Sequence, residues 1–280
     1  MATAPFTGAK RLRELLSDES KIVVAPGVFD GFTARLALQA GFDALYMNAA
    51  MIASLNPSVP VIADADTGYG GPIMVSRTVA QYARAGVAAL HIEDQVQQKR
   101  CGHLLGKQLV DRETYYARLR AAVKTRNDIG SDMLIIARTD ARQSYGFDEA
   151  VARLEEAVKI GVDVVFFEAM DSEDEAAKVC QIFKGKAAPF LNMVPGGTTP
   201  NMSVEKAQQL GFKIMIHPVI LFKPIMDAVT AELATLKTTG LCGQQNAAAG
   251  VKDAFNLAGL QECMQLDEIA GGQAYSGVGE

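Results

Sequence analysis

The stretch AGVAALHIED, Ala85–Asp94, decides the fold. A helical pattern ends at Gly86, an apolar run follows at once, and two acidic residues close the run. Glycine tolerates the left-handed backbone conformation that ends many helices. The stretch therefore predicts the end of a helix, a buried strand and a polar strand end in direct succession.

The same phrase recurs along the chain. It returns as AGFDALYM from Ala40, IGVDVVFFEAM from Ile160 and LGFKIMIHPVI from Leu210. Four more apolar runs lie between these phrases: KIVVAPGV, VPVIADAD, MLIIARTD and PFLNMVPGG. Near-continuous apolar runs are typical of parallel strands that are covered on both faces. Eight strand and helix units predict a (β/α)8 TIM-type barrel rather than a doubly wound open sheet.

The chain is predicted to have two parts. Residues 1–240 form the barrel domain, and residues 241–280 form a C-terminal helical extension that ends in a flexible tail. The helical sequence QQNAAAGVKDAFNLAGLQECMQLDEIA falls outside the eight units. We expect it to pack on the barrel or on a neighbouring subunit.

Composition excludes several classes of protein. Of the 280 residues, 49% are hydrophobic and 21% are charged, which is typical of a globular protein with a large core. The net charge of −5 argues against a nucleic-acid partner. No apolar run is long enough to span a membrane, and the N-terminus lacks the apolar core of a secretory signal. A cytoplasmic location is predicted, with mitochondrial import the less favoured alternative. The scattered cysteines are expected to be free thiols.

Polar residues stand where the predicted strands end. In a barrel of parallel strands these ends share one face, which carries the active site. Carboxylate oxygens suit Mg²⁺, with Mn²⁺ as a substitute, and an arginine beside them suits a substrate carboxylate. The alternative is that such acids only cap helices, as Asp66 would before TGYGG. The residues concerned are Asp64, Asp66, Glu93, Asp94, Arg138, Asp140, Glu168 and Asn192.

A long polar segment follows the fourth strand. It reads QVQQKRCGHLLGKQLVDRETYYARL and carries glycines at Gly102 and Gly106. Long loops in compact barrels are usually lids or binding loops. Cys101 lies between Arg100 and His103, and nearby cations favour the thiolate. An inert thiol is the commoner outcome for a lone cysteine, but this position favours an acid–base group.

Five motifs resemble those of the isocitrate lyase/phosphoenolpyruvate mutase superfamily. They are DADTGYGG (Asp64–Gly71), HIEDQ (His91–Gln95), KRCGHLLGK (Lys99–Lys107), ARTDA (Ala137–Ala141) and NMVPGG (Asn192–Gly197). KRCGH resembles the signature of the lyase branch, which includes 2-methylisocitrate lyase, 2,3-dimethylmalate lyase and oxaloacetate hydrolase. The phosphonomutases of the superfamily lack this cysteine.

The resemblance implies a Mg²⁺-dependent carbon–carbon lyase. Its substrate would be a substituted malate or isocitrate-type 2-hydroxy acid, and its products an α-keto acid and a carboxylic acid. An oxaloacetate hydrolase and a non-catalytic family member are the alternatives. Pro218 stands near the end of strand 8, where the hydrolases carry a serine. The family forms homotetramers in which a C-terminal helix swaps between subunits, and no nucleic acid or membrane partner is implied.

The resemblance also implies roles for individual residues. Cys101 would protonate the carbanion left by cleavage. The implied metal ligands are Asp64, Asp66 and Glu93; the catalytic residues are Cys101, Arg138 and His103; and the substrate-binding residues are Tyr46, Lys99, Arg100, Gly102, Arg138, Glu168 and Asn192.

The connection after strand 2 departs from the family pattern. The strand-like run ALYM passes directly into NAAMIASLNPSVP, whose first part, Asn48–Leu55, is helix-like. The substrate-binding loops that the family carries there are missing. Two explanations stay open: a gene model that lacks an exon, or a diverged protein that has lost the site. Either one predicts that the family reaction of this chain is impaired or absent.

Overall fold

The computed structural model describes residues 7–47, 58–101, 106–241 and 250–274. The chain divides into two compact units. The first comprises residues 1–29 and 42–221, and the second comprises residues 30–41 and 222–280. The domain boundary predicted at residue 240 stays a prediction, and most of the predicted flexible tail, residues 275–280, lies outside the described residues.

Eight strands form the sheet of the first unit. They are β1 (Val23–Pro26), β2 (Leu45–Met47), β3 (Val61–Asp64), β4 (Ala89–Glu93), β5 (Leu134–Thr139), β6 (Val164–Phe167), β7 (Ala188–Asn192) and β8 (Ile214–His217). Their order is β1-β8-β7-β6-β5-β4-β3-β2, and every neighbouring pair is parallel. The predicted (β/α)8 barrel is confirmed.

The sheet closes between β1 and β2 through a single short contact. Gly27, directly after β1, pairs with Tyr46 in parallel, and the Val28 N–H donates to the Tyr46 carbonyl at 3.0 Å. On its other side, the Gly27 N–H donates to the His217 carbonyl at 2.9 Å. A Cβ at position 27 would lie 2.1 Å from the Pro218 carbonyl oxygen. Only glycine therefore allows the backbones to approach closely enough at this closure.

Eleven helices accompany the strands in the described part of the chain. Among these described helices, none is both long and apolar enough to cross a membrane. They are α1 (Gly8–Ser17), α2 (Gly31–Gln39), α3 (Pro72–Arg84), α4 (Arg112–Asp128), α5 (Ala141–Tyr145), α6 (Phe147–Ile160), α7 (Glu173–Phe183), α8 (Val204–Leu210), α9 (Phe222–Thr239), α10 (Val251–Ala258) and α11 (Leu260–Ile269).

Local sequence explains where these helices begin and end. Ser172 and Ser203 cap α7 and α8, since each side chain accepts a hydrogen bond from a backbone N–H in the first turn. Gly161 and Gly211 end α6 and α8 in the left-handed conformation, both with φ of 107°. The predicted helix–glycine–strand junctions are confirmed at these positions.

The core of the first unit lies inside and around the sheet. All residues of β4, β5 and β6 are buried. Phe166 and Phe190 stack with ring centroids 4.5 Å apart. Strands buried along their whole length agree with the continuous apolar runs of the sequence.

The second unit, described by itself, contains α2 and α9 to α11. Asp30 caps α2 by accepting from the Thr33 N–H at 2.7 Å, and Arg35 lies 3.3 Å from Glu262 of α11. No residue within α9 or α11 is buried. Apolar side chains such as Met226 and Leu233 are exposed. The predicted swap of C-terminal helices between subunits stays a prediction.

The connection from β2 to β3 is short. Strand β2 ends at Met47 and β3 begins at Val61, whereas the connection from β4 to β5 runs from Glu93 to Leu134. A complete crossover with its helix needs at least about 10–12 residues, and residues 48–60 barely exceed this minimum. The predicted helix at Asn48–Leu55 lies outside the described residues.

Candidate active site

The polar ends of β3, β4 and β5 lie side by side. The parallel register pairs Asp64 with His91 and Glu93 with Arg138. Asp64 and Glu93 are the last residues of their strands, and Asp66 follows β3 by two residues. The sequence prediction that these side chains share one face therefore agrees with the register of the sheet.

Asp66 does not start a helix. Helix α3 begins at Pro72 with Gly71 at its N-cap, so the capping alternative for Asp66 is wrong. Asp66 has a φ of 50°, and Ala169, directly after Glu168, has a φ of 61°. Positive φ costs free energy in residues other than glycine and is concentrated at functional sites.

Asp64, Asp66, Glu93 and Lys99 form what we call the acidic cluster. The Lys99 Nζ lies 2.5 Å from Asp66 Oδ1 and 3.5 Å from Glu93 Oε1. The Asp66 N–H donates to Asp64 Oδ1 at 2.8 Å. Burial opposes the charge of Lys99, but Glu93, Asp64 and Asp66 outweigh it and raise the lysine pKa. Lys99 thus acts as the local counter-cation.

Glu93 is the most perturbed acid of the cluster. Its side chain is fully buried, and Gln95 Nε2 donates to its Oε1 at 3.1 Å. Its Oε2 accepts no hydrogen bond from the described residues, although Arg138 Nε lies 3.3 Å away. That Nε donates its one N–H to Asp140 at 3.0 Å. Burial raises the pKa of Glu93 to about 7, against the lowering effect of Arg138.

The acidic cluster fits Mg²⁺ by the chemistry of its donors. Mg²⁺ takes one or two protein carboxylates and keeps several waters, and Glu93 Oε2 is a buried oxygen that lacks a hydrogen bond. Within the described ranges, no three His, Cys, Asp or Glu side chains converge as a ready-made metal site. Such an ion would therefore rest on few direct protein ligands, and the assignment of Asp64, Asp66 and Glu93 as ligands stays a prediction.

Arg138 lies between several acids. Its guanidinium reaches Asp140 at 3.0 Å, Glu93 at 3.3 Å and Glu168 at 3.5 Å, and it stacks 5.0 Å from the centre of the Phe166 ring. Burial disfavours its charge, but these carboxylates overcome that effect and raise the pKa of Arg138 further. The residue is therefore a fixed cation in the barrel interior.

Asp140, Lys107, Asp94 and Arg153 form, with Arg138, what we call the buried network. Lys107 Nζ donates to Asp140 Oδ1 at 2.8 Å, and both side chains are fully buried. The Asp140 N–H donates to Asp94 Oδ1 at 2.9 Å, and Arg153 donates to Asp94 Oδ2 at 3.2 Å. Burial alone would raise the pKa of Asp140, but Arg138 and Lys107 lower it to about 2.

Glu168 and Asn192 extend the site across β6 and β7. Asn192 Nδ2 donates to Glu168 Oε2 at 3.2 Å, and the Ala169 N–H donates to Glu168 Oε1 at 3.1 Å. Asn192 Oδ1 is buried and accepts no hydrogen bond from the described residues. An unsatisfied buried amide oxygen can accept a hydrogen bond from a ligand.

Tyr46 contacts His91, a motif residue to which the sequence analysis assigned no role. Its hydroxyl lies 3.0 Å from His91 Nε2, and His91 Nδ1 lies 3.6 Å from Asp64 Oδ1. Burial lowers the pKa of His91 to about 4, so its ring is neutral near pH 7. His91 thus links the predicted substrate-binding tyrosine to the acidic cluster.

The segment after β4 is held at its base by backbone pairing. Gln95 pairs antiparallel with Leu109, and Gln95 also clamps Arg100: its Oε1 accepts the Arg100 N–H at 3.1 Å, and its Nε2 donates to the Arg100 carbonyl at 3.0 Å. Cys101 follows directly and is exposed. The start of this loop is thus fixed at the carboxyl end of β4. Gly102 and His103 lie outside the described residues.

The structure brings together most of the predicted site residues and adds others. Asp140 was predicted only as a polar residue at a strand end, and Lys107, Gln95 and His91 were predicted only as members of motifs, without individual roles. Their signal in the sequence is weak: Asp140 ends a strand, Lys107 closes the KRCGHLLGK motif, and Gln95 follows the HIED acids.

The strands form an eight-stranded parallel barrel, and acids and a buried arginine lie at their carboxyl ends. This arrangement defines the class of (β/α)8-barrel enzymes. The family model described as phosphoenolpyruvate phosphomutase matches residues 47–237. The chain belongs to the isocitrate lyase/phosphoenolpyruvate mutase superfamily, and the resemblance seen in its motifs is confirmed.

Similar proteins place the chain within this superfamily. A crystal structure of 2,3-dimethylmalate lyase is 46% identical, has a TM-score of 0.93, and the match covers 98% of this chain and 99% of that one. A structure of oxaloacetate acetylhydrolase with 3,3-difluorooxalacetate is 42% identical, with a TM-score of 0.91 and coverage of 97% and 100%. A 2-methylisocitrate lyase of Aeropyrum pernix is 40% identical over 82% of this chain and 80% of its own length. Two of these three relatives are named as lyases.

Proposed function

We propose that this protein cleaves a substituted malate or isocitrate-type 2-hydroxy acid into an α-keto acid and a second carboxylic acid. The observation that carries the proposal is the pairing of Arg138, a fixed buried cation, with Glu93, whose Oε2 accepts no hydrogen bond from the described residues. Two relatives that match most of the chain are named lyases for substrates of this kind.

Arg138 binds a substrate carboxylate in this proposal. Its guanidinium is held at one place by carboxylates on three sides, so little side-chain entropy is lost when the substrate binds. Asn192 Oδ1 is a second polar contact in the pocket and accepts a hydrogen bond from the substrate. The hydroxyl group is the hydrogen-bond donor of such an ionised acid, so Arg138 and Asn192 together fix one carboxylate and the hydroxyl group of the substrate.

Mg²⁺, or Mn²⁺ in its place, would be held by Asp64, Asp66 and Glu93, partly through water. When bound, it supplies Lewis-acid polarisation of the oxygens on the fragment that becomes the α-keto acid. The acidic cluster holds three acids and one lysine, and this excess of negative charge favours a divalent ion there. Lys99 contacts Asp66 and Glu93, and it would exchange these contacts for the substrate when the ion is bound.

As the carbon–carbon bond breaks, the substrate hydroxyl loses its proton to a carboxylate of the acidic cluster and becomes the keto group, and Cys101 Sγ then delivers a proton to the other fragment. The electron pair of that bond stays on the departing fragment as an enolate-like carboxylate, which Lys99 and Arg100 stabilise. The placement of Cys101 directly after the clamped Arg100 supports this role. His103 and Gly102 would complete the same loop, as the family motif implies.

Hydrolysis of oxaloacetate to oxalate and acetate is the second candidate. The 42% identity to oxaloacetate acetylhydrolase favours it. Pro218 near the end of β8 favours the lyase, since the hydrolases of the family carry a serine there. The products separate the two reactions.

The short β2–β3 connection bears on the rate. Strand β2 ends at Met47 and β3 begins at Val61, which leaves little chain for the loops that bind a carboxylate in the family. We therefore propose that turnover is impaired.

A homotetramer joined through its C-terminal helices and a cytoplasmic location complete the proposal. The exposed apolar residues of α9 support the homotetramer.

The test is turnover of 2,3-dimethylmalate, 2-methylisocitrate and oxaloacetate with Mg²⁺. We expect a slow release of α-keto acid from one of the first two. Cys101→Ser should lower kcat by about 10²–10⁴-fold, the usual contribution of a general acid. Cys263→Ser, which changes another exposed thiol, is the matched control and should leave kcat unchanged.

Other outcomes separate the alternatives. Oxalate as the product identifies the hydrolase. Inactivity on all three acids, with no rise in Tm on addition of Mg²⁺, supports the non-catalytic alternative, because a bound ion stabilises by mass action. Turnover at the rate of a full-length relative overturns the proposed impairment.

A further inference from the structure

We propose that Asp140 and Lys107 are positioning residues for Arg138: together they fix the plane of its guanidinium so that it grips a substrate carboxylate. Neither residue needs to touch the substrate. The inference rests on the proposed function, because it assigns the binding of the substrate carboxylate to Arg138.

Asp140 holds Arg138 through two hydrogen bonds. Arg138 Nε donates to Oδ2 at 3.0 Å, and Nη2 donates to Oδ1 at 3.2 Å. Two parallel bonds to one carboxylate define the plane of a guanidinium, which a single bond does not. Two further acids lie at longer distances from Arg138, Glu93 at 3.3 Å and Glu168 at 3.5 Å.

Lys107 keeps Asp140 in place. Its Nζ donates to Oδ1 at 2.8 Å, the same oxygen that Arg138 Nη2 uses. The Asp140 backbone N–H is bound in turn by Asp94 Oδ1 at 2.9 Å. The side chain and the backbone of Asp140 are therefore both fixed, and this fixes the direction from which Arg138 is held.

The two cations also balance the acids around Asp140. Arg138 divides its charge among Asp140, Glu93 and Glu168, and Asp94 lies close by. Lys107 supplies a second positive charge to Asp140 at 2.8 Å. Loss of that charge would let Asp140 draw Arg138 away from Glu93 and Glu168.

A purely structural role is the competing explanation, since buried ion pairs also fix cores. A matched control exists at the other end of the same strands. Asp163, directly before β6, contacts Arg13 Nη1 at 3.0 Å and Arg126 Nη1 at 2.5 Å, and accepts the Ile135 N–H at 2.9 Å. It is a partly buried acid with two arginine partners and lies far from the carboxyl ends of the strands.

The experiment compares Asp140→Asn, Lys107→Met and Asp163→Asn in the full chain. The probe is oxalate, titrated by calorimetry with Mg²⁺ present. Asp140→Asn should raise the Kd by about 10–100-fold, and Lys107→Met by about 5-fold, as expected for weakened charge-assisted contacts. Asp163→Asn should change the Kd less than about 2-fold even where its Tm falls.

Turnover gives a second readout. Asp140→Asn should raise KM more than it lowers kcat, because substrate and transition state lose the same contact. In an Arg138→Lys background, Asp140→Asn should have no further effect on the Kd. A structural role predicts additive losses instead, and that result overturns the inference.

Failures of the two proposals are distinguishable. If the wild-type protein does not bind oxalate, the proposed function fails, and the positioning role fails with it. If the wild-type protein binds oxalate and both site variants bind it equally well, only the positioning role fails. If Asp140→Asn does not fold, Lys107→Met decides alone.

Discussion

Asp140 of the buried network and Glu93 of the acidic cluster are both buried beside Arg138, but their pKa values are shifted in opposite directions. In the buried network, Arg138 and Lys107 donate hydrogen bonds to Asp140 and lower its pKa to about 2, against the effect of burial. In the acidic cluster, burial prevails and raises the pKa of Glu93 to about 7. Glu93 is the last residue of β4 and Asp140 directly follows the neighbouring β5, and both side chains are fully buried.

The difference comes from where the N–H groups point. Arg138 Nε lies within 3.3 Å of both acids but donates to Asp140. Glu93 is attracted by the charge of Arg138 but accepts no hydrogen bond from its Nε. The other cation near Glu93 is Lys99, whose side chain is 24% exposed. A satisfied acid acts as scaffold. An acid left short of a hydrogen bond can take a new partner, which is what a binding site requires.

Arg138→Met should give the largest effect, because it removes the cation that both clusters share. We expect a loss of about 3–5 kcal/mol in the free energy of unfolding, the usual result when one partner of a buried ion pair is removed. Turnover should fall below detection. Urea denaturation followed by circular dichroism measures the first quantity.

The control for Arg138→Met is Arg126→Met. Asp163 keeps its contact with Arg13 at 3.0 Å when Arg126 is removed, so the loss should be clearly smaller. Equal losses in the free energy of unfolding for the two variants would mean that Arg138 is no more important to stability than Arg126. The comparison of the two clusters would then be wrong.

Glu93→Gln should change how stability depends on pH. The pKa of Glu93 is about 7 in the fold and near 4.5 in the unfolded chain. Between these values the native state binds more protons, so the wild-type protein loses stability as pH rises from 4.5 to 7. The loss from this residue is on the order of 3 kcal/mol. Glu93→Gln cannot titrate and should lack it.

The measurement is urea unfolding of both proteins between pH 4.5 and 8 in EDTA. His91 contributes in the opposite direction in both proteins, since burial lowers its pKa to about 4 and its stability increment is lost as pH falls below 6.5. The contribution of His91 cancels when the free energy of unfolding of Glu93→Gln is subtracted from that of the wild-type protein. A difference that does not vary with pH would show that Glu93 is ionised throughout.

The sequence predicted the framework of this site better than its contacts. Glycine stops and apolar runs are local signals, so eight strands and the acids at their ends follow from the sequence alone. The bond between Lys107 and Asp140 joins residues 33 positions apart, and its existence depends on how β5 and the loop after β4 meet. Whether an N–H points at Asp140 or Glu93 is a matter of ångströms that no sequence pattern encodes.

Lys99→Met and Lys107→Met compare one lysine from each cluster, and Lys99→Met should have the smallest effect on the free energy of unfolding. Lys107 is fully buried against Asp140, so its removal should cost roughly 3 kcal/mol in the free energy of unfolding. Lys99 is partly exposed, and its partner Asp66 is more so, so its removal should cost less than about 1 kcal/mol. Lys99 also lowers the pKa of Glu93, so Lys99→Met should move the pH window of Glu93 upward. Parallel urea denaturation of the two variants in EDTA at pH 8 measures the pair of losses. Equal losses would mean that burial does not separate the two clusters, and that the acidic cluster is as rigid a scaffold as the buried network.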